Sequence, residues 1–127
     1  MLRTENLEEE LKHLSESPAV EWGPALARLS GSRELMIQMT EFFLEDGQRL
    51  LQQVGSCIAN HREKLSAAAH SLRGVCATFE ARPVMEVTHL IERQADQLTD
   101  EQLTLLWTSL QVEFGRLCDA IADYRRG

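Results

Sequence analysis

A chain of 127 residues is long enough to bury one hydrophobic core and too short for two. Its 43% apolar and 26% charged content is that of a folded globular protein, not of a disordered one. A formal net charge of −7 argues against general nucleic-acid binding and against docking on acidic membranes. No apolar run approaches the ~20 residues of a membrane span, and the opening M-L-R-T-E-N-L-E-E-E has no signal-peptide core.

Taken in chain order, Leu7, Leu11 and Leu14 recur at helical spacing in an acidic stretch that Ser17-Pro18 ends. This predicts an amphipathic helix or extension over residues 1–17. Its leucine edge lies either against the rest of the fold or, in a dimer, against a second copy. A short helix follows over Trp22 to Leu29, with Pro24 in its first turn and Ser30-Gly31-Ser32 breaking it. Ser32 is placed to cap a long helix from Arg33 to about Ala59, whose Met and Phe stripe reads as core. Gly47 and Gly55 inside it mark either a bend or the close approach of a neighbouring helix.

Asn60-His61-Arg62-Glu63 has the form of a capping box and predicts the start of the next helix, which runs to about Glu80. Arg82-Pro83 opens an amphipathic helix to about Leu98, and Thr99-Asp100-Glu101-Gln102 is a second capping box. It starts a last helix carrying Leu103, Leu106, Trp107, Leu110, Phe114, Leu117, Ile121 and Tyr124. Short connections between long amphipathic helices predict an all-α, antiparallel up-down-up-down four-helix bundle over 18–127, preceded by one or two short helices. The three cysteines, Cys57, Cys76 and Cys118, have no C-x-x-C spacing and fall at apolar helical positions, as expected of reduced core thiols in a cytoplasmic protein.

The segment with chemistry in it is Leu65 to Phe79. Leu65, Ala68, Ala69, Leu72, Val75, Cys76 and Phe79 form one apolar stripe. His70 lies about 200° around the helix from Leu72, on the outer face. Its neighbours there, Ser66, Ala67, Gly74 and Ala77, are small, and Arg73 stands one turn away. From Asn60 to Arg82 there are four basic and two acidic residues, against 9 basic and 18 acidic in the remainder, so this is the one mildly positive region. That favours an anionic ligand or an acidic partner.

Nothing else in the chain offers a reaction. There is no Gly-rich phosphate cradle and no H-E-x-x-H. Glu86-Val87-Thr88-His89 is a single Glu-x-x-His where a dimetal bundle site needs two. His61 and His89 lie on other segments, so no metal site is expected. An exposed imidazole with a free ring nitrogen can accept a phosphoryl group from an activated donor. Such transfer needs in-line positioning and neutralisation of the equatorial oxygens. A bare helix surface lacks both a metal and a closed pocket, so the partner must bring most of the apparatus. Arg73 could steady the phosphoryl oxygens, and Gly74 removes a side chain where the group or the partner would clash.

Ala69-His70-Ser71-Leu72-Arg73-Gly74 resembles the A-H-x-L-K-G motif of histidine-containing phosphotransfer (HPt) domains. Trp22 to Leu51 resembles the family's first bundle helices, and Val84 to Arg93, with its Leu-Ile-Glu ending, resembles the helix that follows the motif. The resemblance implies a phosphorelay carrier without autonomous catalysis. His70 would take a phosphoryl group from a receiver-domain phospho-aspartate and pass it to another receiver. Arg73 stands where the family usually has lysine, and keeps the charge with forked geometry. Ser66, Ala67, Ser71 and Ala77 would form the docking surface. Response-regulator receivers are the implied partners, with a hybrid histidine kinase as a further one. No cofactor is implied for this chain; magnesium would belong to the receiver. A monomer is the simpler expectation, with dimerisation through the N-terminal helix as the alternative. Glu80 departs from the family, which often has glycine there. The competing reading is a non-transferring docking or adaptor module of the same fold.

Overall fold

The apolar spacings are realised as six α-helices and two single 3-10 turns, with no strand among residues 2–127, the span that the computed structural model describes. Helix α1 (Thr4–Lys12) continues into a 3-10 turn at Leu14–Glu16, and α2 spans Trp22–Arg28. Helix α3 covers Arg33–Asn60, α4 Leu65–Ala77, α5 Arg82–Gln94 and α6 Asp100–Arg126. The last four are the bundle. Helix α3 packs on α4, α4 on α5, α5 on α6, and α6 closes the ring on α3.

Two of the three expected caps form. The Ser32 hydroxyl accepts from the Leu35 amide at 3.1 Å. Thr99 and Gln102 bond reciprocally at 3.0 and 3.1 Å. The box at Asn60 does not form. Asn60 is the last residue of α3, Arg62–Lys64 make a 3-10 turn, and α4 begins only at the buried Leu65. The Arg62 guanidinium accompanies the delay: it donates to the Ala95 and Leu98 carbonyls, both at 2.9 Å, and so ties this turn to the link that follows α5.

The core is one contiguous cluster centred on Phe43, which packs edge-on against Phe79 at 5.6 Å and tilted against Phe114 at 5.4 Å. Trp22 extends the chain of rings, stacked on Tyr124 at 4.1 Å and edge-on to Phe79 at 6.2 Å, and so fixes α2 across α6 and the end of α4. Gly55 marks close packing: a Cβ there would stand 2.8 Å from the Trp107 ring. All three cysteines are unpaired, and burial, with Cys118 nearby, pushes the Cys76 thiol up to about 12.

The leucine edge of α1 is buried within the chain itself, with Leu7 fully enclosed and Leu14 nearly so. Polar contacts pin the same segment. Buried Glu113 accepts from Ser15 Oγ and Arg116 Nη1, both at 2.6 Å, and Arg116 Nη2 donates to the Ser17 carbonyl at 2.8 Å. A buried carboxylate is tolerated because it is paired.

Helix α4 ends at Ala77, a turn earlier than its apolar spacing suggested, and the chain reverses through Glu80 at φ 50°. This left-handed conformation is the physical reason a glycine suits the position. Glu80 occupies it with its carboxylate 3.2 Å from Arg28 Nε, while Arg28 Nη1 donates to the Ala77 carbonyl at 3.1 Å. Relief of about 1–2 kcal/mol of backbone strain is partly offset in Glu80→Gly by loss of a part-exposed ion pair worth up to about 1 kcal/mol. Denaturant unfolding should place this variant within about 1 kcal/mol of the parent, whereas Glu80→Val, branched at a positive φ, should lose about 1–3 kcal/mol. Equal effects of the two changes would show that the backbone there is unstrained.

Candidate functional site

Helix α4 buries Leu65, Ala69, Leu72 and Cys76, a 3–4 spacing that turns His70 outward. The imidazole is 65% exposed. Helix α5 lies alongside and buries Val84, Val87, Thr88 and Ile91, which sets Glu92 at the rim facing α4. The Ser66 hydroxyl donates to the Glu92 carbonyl at 2.9 Å and locks the two helices in that register.

Glu92 joins the site together. Its Oε1 lies 2.7 Å from His70 Nδ1, and its Oε2 lies 3.0 Å from Arg73 Nε and 2.8 Å from Arg73 Nη2. Burial opposes ionisation of this carboxyl, but the hydrogen bonds from His70 and Arg73 and their charge outweigh it and hold the group below the usual carboxylate range. An ionised carboxylate can only accept, so Nδ1 is the ring nitrogen that carries the proton. Arg73 Nη2, 3.3 Å from the same nitrogen, is then a neighbour and not a donor to it. The remaining ring nitrogen, Nε2, makes no hydrogen bond among the described residues.

The residues singled out by sequence fall unevenly around this centre. Gly74 is exposed, and a Cβ built on it would meet nothing within 4 Å, so the fold does not require glycine there. Ala67 and Ser71 are exposed on the same face. Ser66 instead turns its hydroxyl into the α4–α5 seam, and Ala77 is half-covered beneath Arg28. The positive balance of the segment is largely consumed internally. Arg62 donates to the Ala95 and Leu98 carbonyls, Arg73 pairs with Glu92, and Arg82 Nη2 stands 3.1 Å from Glu21. The attraction for anions is therefore weaker than the count suggests.

Two features escape a reading of one helix at a time. One is Glu92, 22 residues from His70. The other is an open groove of about 520 Å³ between α3 and α4, where Met39, Phe42 and Val75 lie beside His70, Ser71 and Gly74. Phe42 is 59% exposed at its edge. Among the described residues no group of three His, Cys, Asp or Glu side chains is arranged to hold a metal ion, and no helix is long and apolar enough to cross a membrane.

An all-α bundle that presents a free imidazole nitrogen on its surface, steadied by a carboxylate and a guanidinium, is the architecture of a phosphoryl-carrier module. The model of the Hpt domain family matches residues 38–126, and the chain belongs to that family. It is thus a histidine phosphotransfer module of phosphorelay signalling, of the kind that interacts with receiver domains. Searches of curated proteins and of solved structures returned no match.

A carboxyl held ionised by two partners should titrate low. Carbon-detected NMR should give Glu92 a midpoint below the ~4.3 of a free glutamate, and His70→Ala or Arg73→Ala should each raise it. The stability that Glu92 contributes is complete above ~4.3 and disappears as pH falls through the lower folded value. An unshifted midpoint in the parent protein would remove the carboxylate from the site.

Proposed function

We propose that His70 accepts a phosphoryl group from a receiver-domain phospho-aspartate and passes it to an aspartate of another receiver. The observation that carries this reading is the 2.7 Å contact of Nδ1 with Glu92, which leaves Nε2 without a hydrogen-bond partner on the exposed side of the ring. In-line attack by Nε2 breaks the bond between phosphorus and the aspartyl oxygen and forms the nitrogen–phosphorus bond. Arg73, beside the ring, steadies the phosphoryl oxygens, and Gly74 leaves room for them and for the receiver. The receiver supplies the remaining charge neutralisation, including magnesium, and this chain catalyses nothing alone.

The receiver covers the exposed side of α4, at Ala67, Ser71 and Gly74, and the apolar groove beside it. Phe42 is the natural anchor of that contact, since exposed aromatics next to a shallow pocket tend to carry binding energy. A hybrid histidine kinase is a second partner of the same face. The carrier acts as a monomer in the cytoplasm. The cis-packed leucine edge of α1 supports the first statement and the unpaired thiols the second.

Incubation with a phosphorylated receiver tests the assignment. Acid-labile label should reach the parent chain and not His70→Gln, and Arg73→Ala should transfer more slowly without abolishing it. Binding without any label would establish the docking-module reading instead. Gly74→Leu should leave unfolding nearly unchanged, because the site is open, yet slow transfer at least about tenfold by displacing the reacting groups. Phe42→Ala should weaken receiver binding by about 1–3 kcal/mol with no loss of fold. Full transfer by Gly74→Leu would refute the clearance role.

A further inference from the structure

Helix α1 packs on α6 and stands off α5, so a cleft of about 280 Å³ stays open between α1 and α5. Buried Leu14 and Val87 form its base, and half-buried Leu11 and Leu90 line it above. Glu10 of α1 and Glu86 of α5 stand at its rim, both exposed, and no lysine or arginine lines it. We infer that this cleft docks an arginine-bearing, leucine-rich segment of a partner protein, at a place separate from the His70 face.

The two rim carboxylates are free for such a guest. Their neighbours are spent inside the chain: Glu9 stands 3.8 Å from Lys12 Nζ and 3.3 Å from His13 Nε2, and Glu16 lies 3.1 Å from His13 Nδ1. Glu10 and Glu86 have no ion-pair partner among the described residues. Two like charges beside one apolar cleft favour a cation between them. A guanidinium suits the place better than an ammonium. Its fork meets carboxylate oxygens in pairs, and its plane can stack on the His89 ring at the same rim. The leucines below then take an apolar side chain one helical turn from the arginine. An inorganic cation or a purely basic tail would match only half of the site.

The walls of the cleft are fixed before anything binds. Gln102 Nε2 donates to the Leu2 carbonyl at 2.9 Å ahead of α1, and Ser15 Oγ donates to Glu113 at 2.6 Å behind it. Between these ties Leu7 is fully enclosed. A cleft held in this way needs little ordering to receive a guest. Its place on α5 keeps it clear of the phosphoryl site. Leu90 and Glu92 are two residues apart and so point about 200° apart around the helix. One flank of α5 therefore serves His70 and the other serves the cleft. A partner gripped at Glu10 and Glu86 leaves His70 open, and its tether raises the local concentration of any domain it carries.

The test titrates the full chain, labelled with 15N, with a short blocked peptide of arginine, leucine and alanine that sets arginine and leucine one helical turn apart. Amide signals of Leu11, Leu14, Glu86 and Leu90 should move, and those of Ser71 and Gly74 should not. The double change Glu10→Gln with Glu86→Gln should weaken binding at least about fivefold. Glu41→Gln with Glu45→Gln removes the same charge from an exposed face of α3 and should leave binding unchanged. Equal weakening by the two pairs, or shifts centred away from the cleft, would reveal general attraction to an acidic protein and overturn the inference. Agmatine, a guanidinium on a short alkyl chain, should bind far more weakly than the peptide; equal affinity would make this a small-cation pocket and overturn the docking site. Saturating peptide should leave transfer of label from a phosphorylated receiver to His70 unchanged, and inhibition would refute the separation of the two faces. The shifts at the cleft are read whether or not His70 takes label.

Discussion

The site depends on α5 lying in one register along α4. A single residue of α5, Glu92, meets α4 twice: its carbonyl accepts from Ser66, and its carboxylate bridges His70 and Arg73. The backbone contact fixes where the side chain stands, and the side chain fixes which nitrogen of His70 is free. A slip of α5 by one residue would turn Glu92 about 100° away and leave both partners unheld. On the proposed reading, the reactive atom is specified by the packing of a neighbouring helix, although His70 itself sits on an ordinary exposed surface.

That register is held from below and from the ends. The buried faces of α4 and α5 meet over Leu72, Cys76, Val84, Val87 and Ile91, all essentially without exposure. At one end, Arg62 reaches from the turn before α4 to the Ala95 and Leu98 carbonyls, just past the end of α5. At the other, Glu80 takes a left-handed conformation between the two helices, and Arg28 braces it from α2. The aromatic chain of Trp22, Phe79, Phe43 and Phe114 then joins this pair to α3 and α6. With the scaffold fixed at these points, the face around Gly74 and Phe42 can stay open to a partner without loss of order.

Helical period was sufficient to read most of this. It placed the four bundle helices, turned His70 outward and set Arg73 and Gly74 beside it. It could not show what the adjacent helix brings to the same spot, because periodicity describes one helix at a time. A partial signal for Glu92 existed: it follows Thr88 by four residues, on the border of the buried face of α5. A carboxylate at the edge of an apolar stripe invites a search for its partner. Counting charges misled for a related reason. Arg62, Arg73 and Arg82 add to a local sum, but each meets an acceptor from elsewhere in the fold. The false capping box at Asn60 is another local pattern that the fold does not follow, and Arg62 there bonds to the link after α5.

The central claim is that the fold leaves Nε2 of His70, and no other nitrogen, ready to take a phosphoryl group. Transfer from a phosphorylated receiver to 15N-histidine-labelled protein, followed by phosphorus–nitrogen correlation NMR, tests this directly. The account predicts phosphorus coupled to Nε2 of His70, with Nδ1 still carrying its proton. Phosphorus on Nδ1, or on His13, His61 or His89, would contradict it.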